Sequence, residues 1–416
     1  MHCARWWAPS SAPGCFAGET DDPFNRGAAR APGAAMKPIF LKDILDPKQN
    51  NFTLLRLLAA LAVVVSHAVF LKSGNKADEI FAGSSVYVLG DHAVNVFFVL
   101  SGLTVAASLD RSKDIVSFVI ARMLRIFPAL IVCTGLLVLL GIAIADCSAL
   151  EYLADTRVIT YVLKTLSLST GAAELPGVFA NNPYPSVVNA SLWTLKYEVM
   201  CYLVLALLSA VGLLEKRRVS LLLPAIGIAA SAFLLYRFGD QADWSQHLVR
   251  FWLCFSFGVG LFVFRDHVRI SILPALLLAA LTWMVLGTAA ERVVSPIATG
   301  YAALLLGRVP LGRLRTFSNN NDVSYGVYIF GWPVSQLLIH LYPPLNLWAL
   351  NGLSIILASA LAYLSWHWIE RPSLRARDGF VRWCRAFVAF CTSDPPRPPA
   401  ETPHPATSDT ERVARN

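Results

Sequence analysis

LRLLAALAVVVSHAVFL, residues 55–71, sets the class of this chain. It is an apolar run of near-spanning length, interrupted only by Arg56 near its start and by Ser66 and His67 near its end. Coiled as a helix, it would hold Arg56 and His67 ~16 Å apart along the axis, one toward each edge of the hydrocarbon. An ionisable side chain at such depth is costly and marks a functional site by default. The plainer alternative is that Arg56 snorkels to the headgroups while His67 closes the far end, and on this segment alone both readings stand.

Working outward, similar runs recur from Thr53 to Trp366 in a chain of 416 residues, 56% hydrophobic and only 15% charged. This balance argues against an ordinary soluble chain and predicts an all-α, polytopic integral membrane protein. About ten candidate spans can be read, at roughly 53–71, 86–108, 126–145, 191–214, 221–236, 247–264, 270–287, 293–306, 323–342 and 345–366, the fifth and eighth being the shortest. Residues 1–50 read as an Ala, Gly, Pro and Arg-rich extension with a short lead-in, with Met36 as the expected natural start. Residues 51–372 form the membrane domain, and 373–416 a basic stretch followed by a Pro-rich tail expected to be disordered.

The net charge of +8 does not require nucleic acid, because it is distributed as membrane topology would place it. Alternate connections carry Arg111, Lys113, Arg122 and Arg125; Lys216, Arg217 and Arg218; Arg265 and Arg269; Arg308, Arg313 and Arg315; and Arg371, Arg375, Arg377, Arg382 and Arg385. The positive-inside rule puts all five, and both termini, on the cytoplasmic side. The largest opposite connection, 146–189, ends in ELPGVFANNPYPSVVN and is too long and too rich in Pro and Asn for a plain linker, so it is expected to be functional or lid-like. Cys133, Cys201 and Cys254 fall in apolar runs and no Cys-x-x-Cys spacing occurs, so neither a disulfide scaffold nor a structural metal site is expected.

Two constellations could carry chemistry. Glu198 lies about two turns into the span beginning SLWTLKYEVMCY, which this topology enters from the outer side, so His67 and Glu198 are expected at similar depth. A carboxylate beside an imidazole would orient it as a general base, and Tyr202, four residues on, shares the Glu198 face. The alternative is a structural polar cluster. On the inner side, KDIVSFVIARMLRIFP has a helical apolar face suited to lying on the membrane, with Arg122 and Arg125 on a common edge that could grip phosphates of an anionic ligand or of lipid headgroups. Asp91, His92, Asn95, Ser101, Arg250, Asn319 to Asp322, His340 and His367 are further polar residues in or near spans, and Glu370 is expected to pair locally with Arg371.

Taken together, Arg56 and His67 with ten residues between them, FFVLSG at 97–102, RMLRIFP at 122–128, SLWTLKYEVMCY at 191–202, SYGVYIFGWPV at 324–334 and IERP at 369–372 resemble the membrane acyltransferase family 3. This group includes bacterial O-antigen and exopolysaccharide O-acetyltransferases. The resemblance implies an O-acyltransferase of the bacterial inner membrane that moves an acyl group, usually acetyl, from cytoplasmic acetyl-CoA to a carbohydrate hydroxyl. The acceptor would be free or lipid-linked, with membrane lipid around the protein and a homodimer left open. Acetyl-CoA enters as donor substrate, with no permanently bound cofactor and no metal.

On this sequence the resemblance makes Arg56 and His67 the essential first-helix pair, Arg122 and Arg125 the arginines of CoA recognition, and Glu198 and Tyr202 the Glu-x-x-x-Tyr element. One departure is Gly331, where many members have His. In the resulting mechanism His67, oriented by Glu198, removes the acceptor proton. Arg56 is too far along its helix for the same atom, and so serves cofactor binding or an ion pair. An acyl-His67 intermediate is the alternative chemistry. A proton-coupled transporter or flippase is the rival from another class, opposed by the arginine pair and by the absence of an evident internal repeat. A membrane acyltransferase built on a lone His340 is the rival enzyme.

Overall fold

The computed structural model describes residues 40–392 except 47, 113, 170–173, 215 and 240–243. The expectations for Met36, for the N-terminal extension, for Lys113 and for the Pro-rich tail lie outside the described residues. Among the described residues the only β contacts are isolated bridges, and the architecture is all-α.

The helices are α1 (Phe52–Ser73), α2 (Leu89–Ser112), α3 (Ile115–Ile144), α4 (Ala149–Ala154), α5 (Thr156–Leu166), α6 (Leu195–Ala210), α7 (Arg217–Phe238) and α8 (Trp244–Val263). After these come α9 (Ile272–Met284), α10 (Glu291–Gly307), α11 (Arg313–Asn320), α12 (Ser324–Leu341), α13 (Leu347–Ser365), α14 (Arg371–Arg375) and α15 (Arg377–Thr392). A 3-10 turn, Ala190–Thr194, leads into α6, and a π-turn, Trp366–Glu370, follows α13. Seven of these segments are long and apolar enough to cross a membrane, and the chain is a polytopic membrane protein. The three other expected spans form α9, α10 and α12, of 13, 17 and 18 residues.

Lengths differ from expectation in three places, each for a local reason. The fifth span grows to the 22 residues of α7, because Arg217, Arg218 and Arg237 continue the helix beyond its apolar stretch. The seventh shrinks to α9, because the residues before it are used as ties: the Val268 carbonyl accepts from Leu41 N and the Ile270 carbonyl from Arg308 Nη1. The expected surface-lying helix over 113–128 does not form separately. It is the first part of α3, a continuous 30-residue helix capped by Asp114 and long enough, at ~45 Å, to project well past the hydrocarbon.

α2 occupies the centre, with 72% of its span buried, whereas α7 at 17% lies at the periphery with Leu222, Ile226 and Phe233 facing outward. Lipid supplies no hydrophobic drive between helices, so close backbone approach must do the work. At the α2–α8 crossing a Cβ on Gly258 would collide with the Val99 carbonyl oxygen, so only glycine allows this contact. α1 packs between α2 and α12, and the ends of these helices carry the site. The basic connections meet at one end of the bundle: Arg265 pairs with Asp110, Arg385 with Asp114, and Arg315 donates to Asn51.

The segment 174–189 is not a surface lid. It runs down into the bundle along one face of α12, touching Ile329, Trp332 and Gln336 at helical spacing. Asn182 Nδ2 donates to Gln336 Oε1 (2.7 Å), Gln336 Nε2 to the Tyr184 carbonyl (2.9 Å) and Trp332 Nε1 to the Val187 carbonyl (3.0 Å). At the bottom Asn189 Nδ2 donates to the Ile329 carbonyl (2.8 Å). That carbonyl is free because Pro333, four residues on, has no N–H to return. Irregular backbone at this depth persists only where such groups are satisfied inside the protein.

Candidate active site

The descent of that loop decides where Glu198 sits. The chain enters α6 from the middle of the bundle, where Thr194 Oγ1 meets Tyr328 Oη at 2.6 Å. Glu198 lies one turn further toward the basic end. His67 lies one turn of α12 the other way, its ring 4.9 Å from Trp332. The two are therefore separated by roughly 12 Å of helical rise. The expectation of similar depth is corrected, because it started this helix at the end of the bundle opposite the basic connections, whereas α6 begins in the middle.

Glu198 instead shares a cavity with the arginines. The cavity spans about 740 Å³ including its open mouth. Arg56 reaches in from α1, Ser101 and Phe97 from α2, Arg122 and Arg125 from α3, Glu198 and Tyr202 from α6, and Ser324, Tyr325 and Tyr328 from α12. Tyr202 Oη donates to Glu198 Oε1 in a short hydrogen bond, which leaves Ser101 Oγ to donate to Tyr202 (2.9 Å). The Glu-x-x-x-Tyr spacing thus closes on itself across one helical turn, and α2 extends it.

The three arginines differ. Arg56 Nη2 donates to Thr104 Oγ1 (2.7 Å), a neutral partner, and among the described residues its charge has no direct ion pair. Arg122 lies over the Tyr202 ring, and among the described residues its Nε has no hydrogen-bond partner. Arg125 is occupied: Nη1 donates to Glu370 (2.5 Å) and Nη2 to Asp322 (2.8 Å). Burial alone would raise the Asp322 carboxyl, but Arg125, with Arg56 beyond it and hydrogen bonds from Ser324, brings it below the usual carboxylate range.

Glu370 also overturns its expected pairing with Arg371. It is fully buried, accepts from Ser365 Oγ and Arg125, and Arg371 is exposed. The cause lies in IERP. In a regular helix the Pro372 ring would strike the Trp368 carbonyl, and the chain widens into a π-turn, with Arg371 N donating to the Trp366 carbonyl, which leaves Glu370 buried in the interior.

His67 stands apart. It does not line the cavity, its ring is edge-on to Phe70 and Trp332, and among the described residues its Nδ1 has no hydrogen-bond partner. Gly331 packs against Val64, one turn below His67, where any Cβ would collide. The rival histidines are elsewhere: His92 contacts Thr299, and His340 lies edge-on to Phe179. Ser101, Thr104, Thr194, Tyr325 and Tyr328 were not singled out for the site by sequence. Ser324, Tyr325 and Tyr328, at helical spacing within an apolar run, are the signal that could have found the α12 wall.

The comparisons show the family. The acyltransferase domain family matches residues 49–369. Nodulation protein 10 of Rhizobium leguminosarum bv. viciae is 31% identical over 372 residues, covering 80% of this chain and 95% of its own. An O-acetyl transferase of Shigella phage Sf6 is 29% identical over 349 residues, covering 79% and 96%. No solved structure matches significantly. With the cavity, the motifs and the matched length in agreement, the chain belongs to the membrane acyltransferase family 3 and is an integral membrane O-acyltransferase.

Proposed function

We propose that the enzyme takes an acetyl group from acetyl-CoA on the cytoplasmic side of the bacterial inner membrane and transfers it to a hydroxyl of a cell-surface carbohydrate, such as lipopolysaccharide O-antigen or exopolysaccharide. The observation that carries the donor half is the cavity at the basic end, where, among the described residues, Arg56 and Arg122 have no carboxylate partner within hydrogen-bond reach. Buried cations of this kind suit the phosphates of a CoA thioester, whose long pantetheine arm can then run along α1 toward His67. The acceptor half rests on the phage relative, an O-acetyl transferase, and on the carbohydrate acceptors that the family resemblance implies.

In this reading His67 removes the acceptor hydroxyl proton as the oxygen attacks the thioester carbonyl. The tetrahedral intermediate collapses by breaking the C–S bond, and the imidazolium returns the proton to the CoA thiolate. Glu198 does not orient His67. It holds Tyr202 and Ser101 on the cavity wall opposite Arg122.

Mass spectrometry of surface polysaccharide from a deletion strain, complemented with wild type or with His67→Ala, tests the proposal. Acetyl units should vanish on deletion, return with wild type and stay absent with the variant. Unchanged acetylation in the deletion strain would sink it.

A further inference from the structure

Arg122 and Arg125 come as a pair in RMLRIFP, and a pair of arginines three residues apart invites the reading that both grip one polyanion. Their surroundings say otherwise. Arg125 spends both terminal nitrogens on carboxylates from two other elements, Asp322 just before α12 and Glu370 at the end of the π-turn. The Tyr325 and Trp366 rings flank the guanidinium, each 5.7 Å from its centre. With both acids ionised this corner carries one positive and two negative charges, so a phosphate brought there meets net repulsion and a guanidinium whose two terminal nitrogens each already donate to a carboxylate. The other corner has the opposite balance: Arg56 and Arg122 face the single carboxylate of Glu198, and the Arg122 Nε hydrogen is unspent.

The backbone points the same way. The π-turn leaves Glu370 fully buried and in contact with Arg125, and Ser365 Oγ donates to its second oxygen. Asp322 is fixed from its other side by Ser324 Oγ (2.7 Å). Tyr325, which lines the cavity, donates its hydroxyl to the Ile126 carbonyl on α3, beside Arg125. Two helices that wall the cavity, α3 and α12, are thus joined to each other and to the π-turn through one guanidinium.

We infer that Arg125 is a positioning residue, a buried tie through Asp322 and Glu370 that aligns α3, α12 and the π-turn, while Arg56 and Arg122 are the cations that meet the anionic groups of the donor. The inference rests on the acyl-CoA reading for its second half, and its first half stands on the tie alone.

A charge-neutral replacement of the tie separates the two roles. Arg125→Gln alone strands two buried carboxylates and should lower the melting temperature of the purified full-length protein. The triple variant Arg125→Gln, Asp322→Asn, Glu370→Gln removes all three charges, keeps hydrogen-bonding groups, and should recover most of that loss. In membrane vesicles the triple variant should keep its KM for acetyl-CoA within about threefold while kcat falls, and Arg122→Gln should raise KM more than about tenfold. A triple variant whose KM rises as far as that of Arg122→Gln makes Arg125 a donor ligand and overturns the assignment. So does a melting temperature that the triple variant fails to recover. If wild type shows no saturable dependence on acetyl-CoA, the donor reading fails, and the melting comparison still decides the tie.

Discussion

The two ends of the first helix handle buried polarity in opposite ways. At the basic end, Arg56 enters a cavity where most polar groups satisfy one another, Glu198 with Tyr202 and Ser101 and Arg125 with Asp322 and Glu370, while among the described residues Arg122 Nε is left for a ligand. At the other end, His67 is set among Phe70 and Trp332 with Nδ1 unengaged by the described residues. A group locked in a network holds shape, whereas a group left without a partner is available to a ligand or a proton. The contrast divides the labour into a donor-holding end and a reactive end about three helical turns apart.

The largest effect should come from the reactive end. His67→Ala should lower acyl transfer by about two to four orders of magnitude while membrane abundance stays normal, since a general base is removed without emptying a packed core. Quantified polysaccharide acetylation beside immunoblotting checks this, and wild-type transfer would collapse the division at its more important half.

Glu198→Gln tests whether the ends are separate. It should reduce activity about tenfold through the cavity wall and leave the pH dependence of kcat superimposable on wild type, because no carboxylate beside His67 has been neutralised. A displaced profile would mean that the ends are electrostatically joined.

Asn189→Ala probes the loop that keeps them apart. It leaves the Ile329 carbonyl, which Pro333 already deprives of its helical donor, with only the weak Cys133 Sγ donor at 3.7 Å, at a cost of about 1–3 kcal/mol. Thermal melts in detergent should show the loss. An unchanged melting temperature would mean that the descent of the loop does not depend on this bond.

The smallest effect concerns Glu79, which accepts from Ser66 Oγ beside His67. Burial raises its carboxyl from 4.5 to about 7, against the lowering pull of the Ser66 hydrogen bond. The folded state therefore binds more protons than the unfolded state between those values, and wild type loses stability as pH rises from about 4.5 to about 7. Glu79 is only about half buried, so solvent screening keeps the change modest. Glu79→Gln removes it, and its melting temperature relative to wild type should rise from pH 5 to pH 8. A constant difference would show that Glu79 does not titrate in this window.

Much of this molecule was legible along the chain. Membrane class, helical architecture and approximate spans follow from apolar length, because lipid leaves a helix as the way for such a segment to satisfy its own backbone. The motifs that mark the family are local strings, and local strings survive being read in one dimension.

Depth and partnership are not local. Whether Glu198 met His67 or Arg122 depended on where α6 begins, and that was set by Asn189 finding the carbonyl freed by Pro333 on another helix. Whether Glu370 paired with its neighbour Arg371 or with Arg125 depended on a π-turn forced by Pro372 and on α3 standing opposite. The residue types and their spacing came from sequence alone. The tertiary structure decided which of the buried charges meet, because buried groups must find partners wherever the packing of distant helices supplies them.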